Sequence, residues 1–161
     1  MSNHPGPIVE AQIKEFVTAW YLALDQHAPA EECLKLVADD VQMIFPEKTL
    51  HGSRDFSAWY AGGTYSAGEK APGVINIFFD ENHNVVSVAS KIAGDQAELD
   101  VLVAWQASWF VPPAAKSKRV SLDATQKWIV RKSNKNTYGL EVTSYNAMAE
   151  PFNYAPGFAR L

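Results

Sequence analysis

At 161 residues, with 47% hydrophobic and 20% charged side chains, the chain is long enough for one domain to bury its own core and too apolar to be disordered. Eighteen acidic against 14 basic residues leave a net charge of -4, which excludes a generally basic surface for nucleic acid. The lone cysteine, Cys33, excludes an intrachain disulfide and a cysteine-held zinc site, and no apolar run approaches the roughly 18 residues of a membrane-spanning helix.

Met1 to Glu10 lack the charged start and continuous apolar stretch of a signal peptide, so a cytoplasmic protein is expected. Ile13, Phe16, Val17, Trp20 and Leu24 then recur at helical spacing, with Glu10, Lys14 and Glu15 between them. This predicts an amphipathic helix of about four turns ending near His27. Pro29 suits the first turn of a short second helix carrying Leu34 and Val37. Ala38-Asp39-Asp40 stops it, and Val41 to Phe45 reads as a strand closed by Pro46. Ser53 is the expected N-cap of a third helix with Phe56, Trp59 and Tyr60 on one face. Ala61 to Gly73, rich in glycine, is expected to be a mobile loop and a lid.

Beyond Gly73 the pattern changes to strands. Val74 to Phe79 is expected as one, Asp80 to Asn84 as a turn, and Val85 to Ile92 as a second strand. Ala97 to Val111, Val120 to Lys132 and Tyr138 to Met148 are longer, with an irregular tail to Leu161. Helices first and antiparallel strands afterwards make an α+β domain spanning 1–161, its helices packed on one face of a curved sheet. Leu99, Val101, Val103, Trp105 and Trp109 line one face of the longest strand. Leu102, Ala104 and Phe110 join Asp100, Gln106 and Ser108 on the other, a face too apolar for free exposure to water. A second copy covering it, in a homodimer through the sheet, is the expected solution.

Three stretches carry a family resemblance: Phe16-Val17-Thr18-Ala19-Trp20-Tyr21-Leu22-Ala23-Leu24; Leu36-Val37-Ala38-Asp39-Asp40-Val41 with Phe45-Pro46; and His51-Gly52-Ser53 leading to Phe56, Trp59 and Tyr60. Together with the element order, over Ile8 to Ala149, the chain resembles the nuclear-transport-factor-2-like superfamily, which includes ketosteroid isomerase, scytalone dehydratase, limonene epoxide hydrolase and polyketide cyclases. The resemblance implies a cone-shaped half-barrel with a pocket between sheet and helices, but no single reaction, because such folds host many chemistries. Matched to ketosteroid isomerase, it puts Phe45 where a carboxylate base would stand, and a phenyl ring takes no proton. It puts Trp20 and Gln126 at the two donor positions and Tyr60 at the tyrosine of the third helix. The Asp-Arg-Asp group of the limonene type is missing, since Glu98 precedes Asp100 by two residues.

The histidines are His4, His27, His51 and His83. His4 falls at the terminus, and His27 and His83 fall in expected turns. His51 alone stands beside an expected pocket element, as a general acid or base or else as a solvent-facing loop residue. The pocket wall is expected from Trp20, Phe45, Trp59, Tyr60, Gln126, Trp128 and Asn146. Gln126 and Trp128 share the apolar face of their strand, and a buried amide there needs partners. Asp39 and Asp40 point apart and read as a helix stop, while Lys116, Lys118 and Arg119 read as a solvated loop. No histidine pair at ligand spacing occurs, so no metal is expected, and no cofactor is expected. The sequence therefore predicts a protein that binds a small apolar or aromatic molecule in an aromatic-lined pocket, with cyclase, dehydratase or isomerase chemistry. The alternative is a non-catalytic binding or assembly module, for protein recognition or as an accessory subunit.

Overall fold

The computed structural model describes residues 6–161. The helices are α1 (Glu10–Asp25), α2 (Ala30–Leu34), α3 (Gly52–Ala61) and α4 (Val74–Ile77). The strands are β1 (Val37–Ile44), β2 (Thr49–His51), β3 (Gly63–Thr64), β4 (Lys70–Ala71), β5 (Phe78–Ala93), β6 (Gln96–Trp109), β7 (Lys118–Lys132), β8 (Leu140–Asn146) and β9 (Asn153–Tyr154). The main sheet runs β2-β1-β8-β7-β6-β5, with β9 added to β7. Among the described residues only the β1–β8 pair is parallel.

The long strands obey a period of two because one face lies under the helices. In β6, Ala97, Leu99, Val101 and Val103 are buried while Glu98 and Asp100 are exposed. In β7 the inner row is Val120, Leu122, Ala124, Gln126, Trp128 and Val130. Helix α1 answers with Ile13, Phe16, Val17, Trp20 and Leu24, the stripe its spacing predicts, and with Tyr21, which that stripe did not include. It lies along β5, and α3 lies against β1. Helices and sheet share one cluster of buried side chains, so this is the α+β layer arrangement expected.

Several boundaries differ from the sequence reading. Val37 opens β1 instead of closing α2, because its amide face is needed for the parallel pairing with Val142. Asp39 and Asp40 stay exposed, within 3.7 Å of Lys135 and 3.5 Å of Arg131. Helix α3 starts before Ser53: His51 is the N-cap, and the Asp55 carboxylate accepts its backbone N–H at 3.1 Å. Val74–Ile77 is a helical turn instead of a strand. Its entry at Gly73 has φ 87°, and a Cβ there would lie 2.5 Å from the Ala61 carbonyl carbon, so only glycine fits. The Asn76 amide fastens this turn, donating to the Pro72 carbonyl at 2.9 Å.

The expected lid is a small hairpin of β3 and β4, tied down on three sides. Asp55 accepts the Ser66 N–H at 2.7 Å, Lys48 pairs with Glu69 at 2.7 Å, and the Lys48 ammonium sits 4.5 Å over the Tyr65 ring. The expected turn at Asp80 to Asn84 is part of β5. A bulge lies there instead: Phe79 pairs with Ser108 and Asn82 with Gln106, so two residues of β5 oppose Ala107. The tail forms β9 in register with Leu122 and Asp123. Among the described residues, no helix is long and apolar enough to cross a membrane.

Candidate functional site

The bulge in β5 decides the site. An unbulged strand would turn His83 to the outer face, because Phe79 four residues earlier pairs with outer-facing Ser108. The extra residue shifts the pleat by one, and His83 comes to lie opposite Trp105 on the inner face, under the end of α1. There Asp25, the last residue of α1, meets it. One Asp25 oxygen accepts the His83 backbone N–H at 2.8 Å, and the other lies 2.5 Å from the imidazole Nδ1. A carboxylate can only accept, so Nδ1 carries the proton and Nε2 is left as the basic nitrogen. A carboxylate at a helix C-terminus also opposes the helix dipole, and α1 has no basic residue in its last turn to offset it.

A second pair runs the other way. His27, two residues after Asp25, places Nε2 3.0 Å from Oε1 of Glu81, two residues before His83. The other Glu81 oxygen accepts the Trp105 indole N–H at 3.0 Å. The segments Asp25-Gln26-His27 and Glu81-Asn82-His83 thus clasp reciprocally. Among the described residues two non-glycine residues have left-handed backbone, His27 (φ 50°) within this clasp and Asp80 (φ 52°) immediately before its strand segment. Such backbone collects at sites that other contacts over-determine.

Tyr21 and Trp105 both stack on the imidazole of His83, at 4.7 and 6.1 Å between ring centroids. Tyr21 is fixed by a buried network. Trp128 Nε1 donates to Gln126 Oε1 at 3.0 Å, and since an indole only donates, this orients the amide. Tyr21 donates to the same oxygen, and Tyr145, 3.3 Å from the Tyr21 hydroxyl, donates to Tyr21. Burial pushes the Tyr21 phenol well above its ordinary range and also raises Tyr145, so both remain neutral donors. The Trp20 indole nitrogen, fully buried beside Tyr145 and Trp128, has no hydrogen-bond partner among the described residues.

Of the residues singled out from sequence, Trp20, Gln126 and Trp128 come together in this interior, with rings 5.9 Å apart for the two tryptophans. Tyr60 is buried and donates to the Ala28 carbonyl at 2.5 Å, beside the clasp; burial, then the neighbouring Cys33, raises its phenol. Phe45 and Trp59 stack on each other at 4.0 Å and adjoin the same interior, Phe45 5.5 Å from Tyr145 and Trp59 6.1 Å from Phe56, while the Trp59 indole reaches out to Glu47. Asn146 stands on the outer face, in register with Lys127 and Ile44, and its carbonyl caps a turn by accepting the Met148 N–H at 2.9 Å. His51 is exposed, and its nearby carboxylate, Asp55, binds backbone instead of the imidazole. His4 lies outside the described residues. An open depression of about 320 Å³ beside α3, lined by Ser53, Arg54, Ser57 and Thr64 among others, involves none of these groups. Among the described residues no cluster of three His, Cys, Asp or Glu side chains could hold a metal.

The groups missed from sequence are Asp25, Glu81 and the roles of His27 and His83. Their signal was present: an acidic residue ending a helix against its dipole, and two acid-x-His triplets.

No protein-family model matches this sequence, and no curated protein matches it. Solved structures do. The chain resembles a nuclear transport factor 2 (NTF2-like) superfamily protein from Salmonella enterica, with 11% identity over 93% of this chain and 96% of that one and a TM-score of 0.61. It also resembles a hexachlorocyclohexane dehydrochlorinase, LinA-type3, from Novosphingobium barchaimii, with 10% identity over 94% and 92% and a TM-score of 0.61. The CaMKII hub of S. rosetta matches with 13% identity over 93% and 100% and a TM-score of 0.62. The protein therefore has the NTF2-like, cystatin-like fold. At such identities the likeness is one of fold, and that fold is shared by a dehydrochlorinase and the CaMKII hub alike.

Proposed function

We propose that this protein is an enzyme that moves a proton on a small, largely apolar molecule, with His83 as the base and Asp25 as the group that orients it. The observation that carries this reading is the chelation of His83 by one carboxylate through both backbone and ring, which frees Nε2 as the proton acceptor. His83 Nε2 takes a proton from carbon. The C–H electron pair becomes a new C=C bond as a β leaving group departs with its own pair, or it delocalises onto an adjacent carbonyl oxygen. The first course is a dehydratase-type elimination, the second the opening step of isomerisation or cyclisation. Neither needs a cofactor. The unpaired Trp20 indole N–H and the amide of Gln126 are donors for an acceptor oxygen on the substrate, with Trp128 and Tyr60 completing an apolar wall. The dehydrochlorinase among the structural neighbours, an eliminating enzyme by its name, supports this class.

The test is deuterium exchange and elimination on a panel of cyclic β-hydroxyketones and hexachlorocyclohexane in D₂O. His83→Gln and Asp25→Asn are each expected to lower kcat by about 10²- to 10⁴-fold. Turnover that persists in both variants overturns the reading. So does a ¹⁵N spectrum of the neutral imidazole that places the proton of His83 on Nε2.

A binding or assembly role is the second reading. It is favoured by the interior, where Trp20, Trp128 and Tyr145 pack ring against ring at 5.0–5.9 Å, and by the hub among the neighbours. In either case the half-buried Leu102, Ala104 and Ile129, with exposed Ile44, fit a second copy against the outer sheet face. Sedimentation equilibrium is expected to return a dimer, and a monomer at high concentration removes this interface. The lone Cys33, buried as a free thiol, suits a reducing cytoplasm.

A further inference from the structure

We infer that Glu81 is a positioning residue for the His83 imidazole and that it acts through Trp105. The inference rests on the reading of His83 as the base. Glu81 is nearly enclosed, its side chain 9% exposed, and both oxygens are committed, one to His27 and one to the Trp105 indole N–H. Burying a carboxylate is costly, and an ordinary packing contact on an imidazole face needs no such anchor. Phe78 already packs edge-on against Trp105 at 5.4 Å without one. What the carboxylate adds is direction. An indole has one N–H, so a bond to it, together with the Cβ attachment, sets the torsion at which the ring lies. That ring lies at 29° to the imidazole of the residue paired with it across the sheet.

Three constraints then close on His83. Asp25 holds its edge, Tyr21 stacks on it and is itself held by Gln126 and Tyr145, and Trp105 stacks on it and is itself held by Glu81. Two features of the backbone serve the placement of Glu81. The β5 bulge turns it inward together with His83, and the residue before it, Asp80, takes left-handed φ. Arg119 secures that residue, donating to the Asp80 carbonyl at 2.8 Å. His27 holds the second Glu81 oxygen and so ties the α1–α2 turn to the same anchor. Partners one step removed from a reacting group commonly change activity by about 10- to 100-fold.

The experiment measures relaxation dispersion of the His83 ring carbons in the full-length protein, without substrate, alongside kcat and KM on any panel compound that is turned over. Wild type is expected to show a flat dispersion profile. Glu81→Leu is expected to show exchange on the microsecond–millisecond scale and to lower kcat by about tenfold with KM unchanged. Glu81→Gln keeps an acceptor for Trp105 and should restore the flat profile. His27→Gln leaves the Glu81–Trp105 bond in place and should also stay flat. If Glu81→Leu fails to fold, Trp105→Phe, which removes the N–H and keeps an aromatic ring, should show the same exchange. A flat profile in folded Glu81→Leu or Trp105→Phe overturns the inference. Exchange in His27→Gln equal to that of Glu81→Leu assigns the effect to the helix turn and also overturns it. The dispersion result does not depend on turnover, so the base reading, which His83→Gln tests, can fail or stand separately.

Discussion

His83 meets the end of α1 and His51 begins α3, and their surroundings differ sharply. The imidazole of His83 is stacked with Tyr21 and Trp105 and bonded at its edge to a carboxylate 58 residues away in the chain. His51 lies at the start of α3, exposed, and the acid four residues along, Asp55, spends both oxygens on the backbone N–H groups of His51 and Ser66. Each histidine has a carboxylate nearby. One carboxylate orients a ring; the other closes a helix end and fastens a hairpin. Proximity to a pocket element is therefore a poorer guide to a histidine's role than the group its ring nitrogen bonds.

The sharpest way to break this contrast is to exchange each histidine. His83→Gln should lower kcat by about 10²- to 10⁴-fold, while His51→Gln should leave kcat/KM unchanged; the reverse result would move the site to the start of α3. Gln126→Leu is expected to cost about 2–3 kcal/mol in urea unfolding. It strands the Trp128 indole N–H and the Tyr21 hydroxyl in the core and loosens the Tyr21 ring that backs His83. Equal stability of Gln126→Leu and wild type would show that water fills the gap and that Tyr21 is held otherwise.

The third test sharpens the His51 side. Burial pushes the Asp55 carboxyl up, but the N–H groups of Ser66 and His51 outweigh it and hold it below its ordinary 3.8. A folded-state value below the unfolded one adds stability that is fully present above about pH 3.8 and lost as pH falls through the folded value. Asp55→Asn should thus be less stable than wild type at pH 7, by about 1–2 kcal/mol, with the gap closing in strong acid. A gap that stays constant down to pH 2 would remove the ionised carboxylate from the account.

Much of this fold was readable from neighbouring residues. The stripe Ile13, Phe16, Val17, Trp20, Leu24 on α1 and the alternation in β6 and β7 are properties of the local chain, because period and burial follow from backbone geometry. The inward placing of Trp20, Gln126 and Trp128 followed from the same parity, and Cys33 alone settled that no intrachain disulfide exists. Composition and element order were enough for an α+β fold with helices over a mostly antiparallel sheet.

The site was not readable in this way. His83 looked like a turn residue because Asp80, Asn82 and Asn84 surround it, and only the long pairing of β5 with β6 overrides that local preference. Whether it faces in or out depends on a single-residue bulge, which reverses the side chains up to a second register shift at Val85/Ser87 and has no periodic signature. The Asp25–His83 and His27–Glu81 pairs join a helix end to a strand start, a contact that exists only once α1 lies on the sheet. Periodicity is a property of adjacent residues and survives in the sequence. Register and long-range pairing are set by the whole chain packing at once, and there the tertiary structure decided which histidine has a partner.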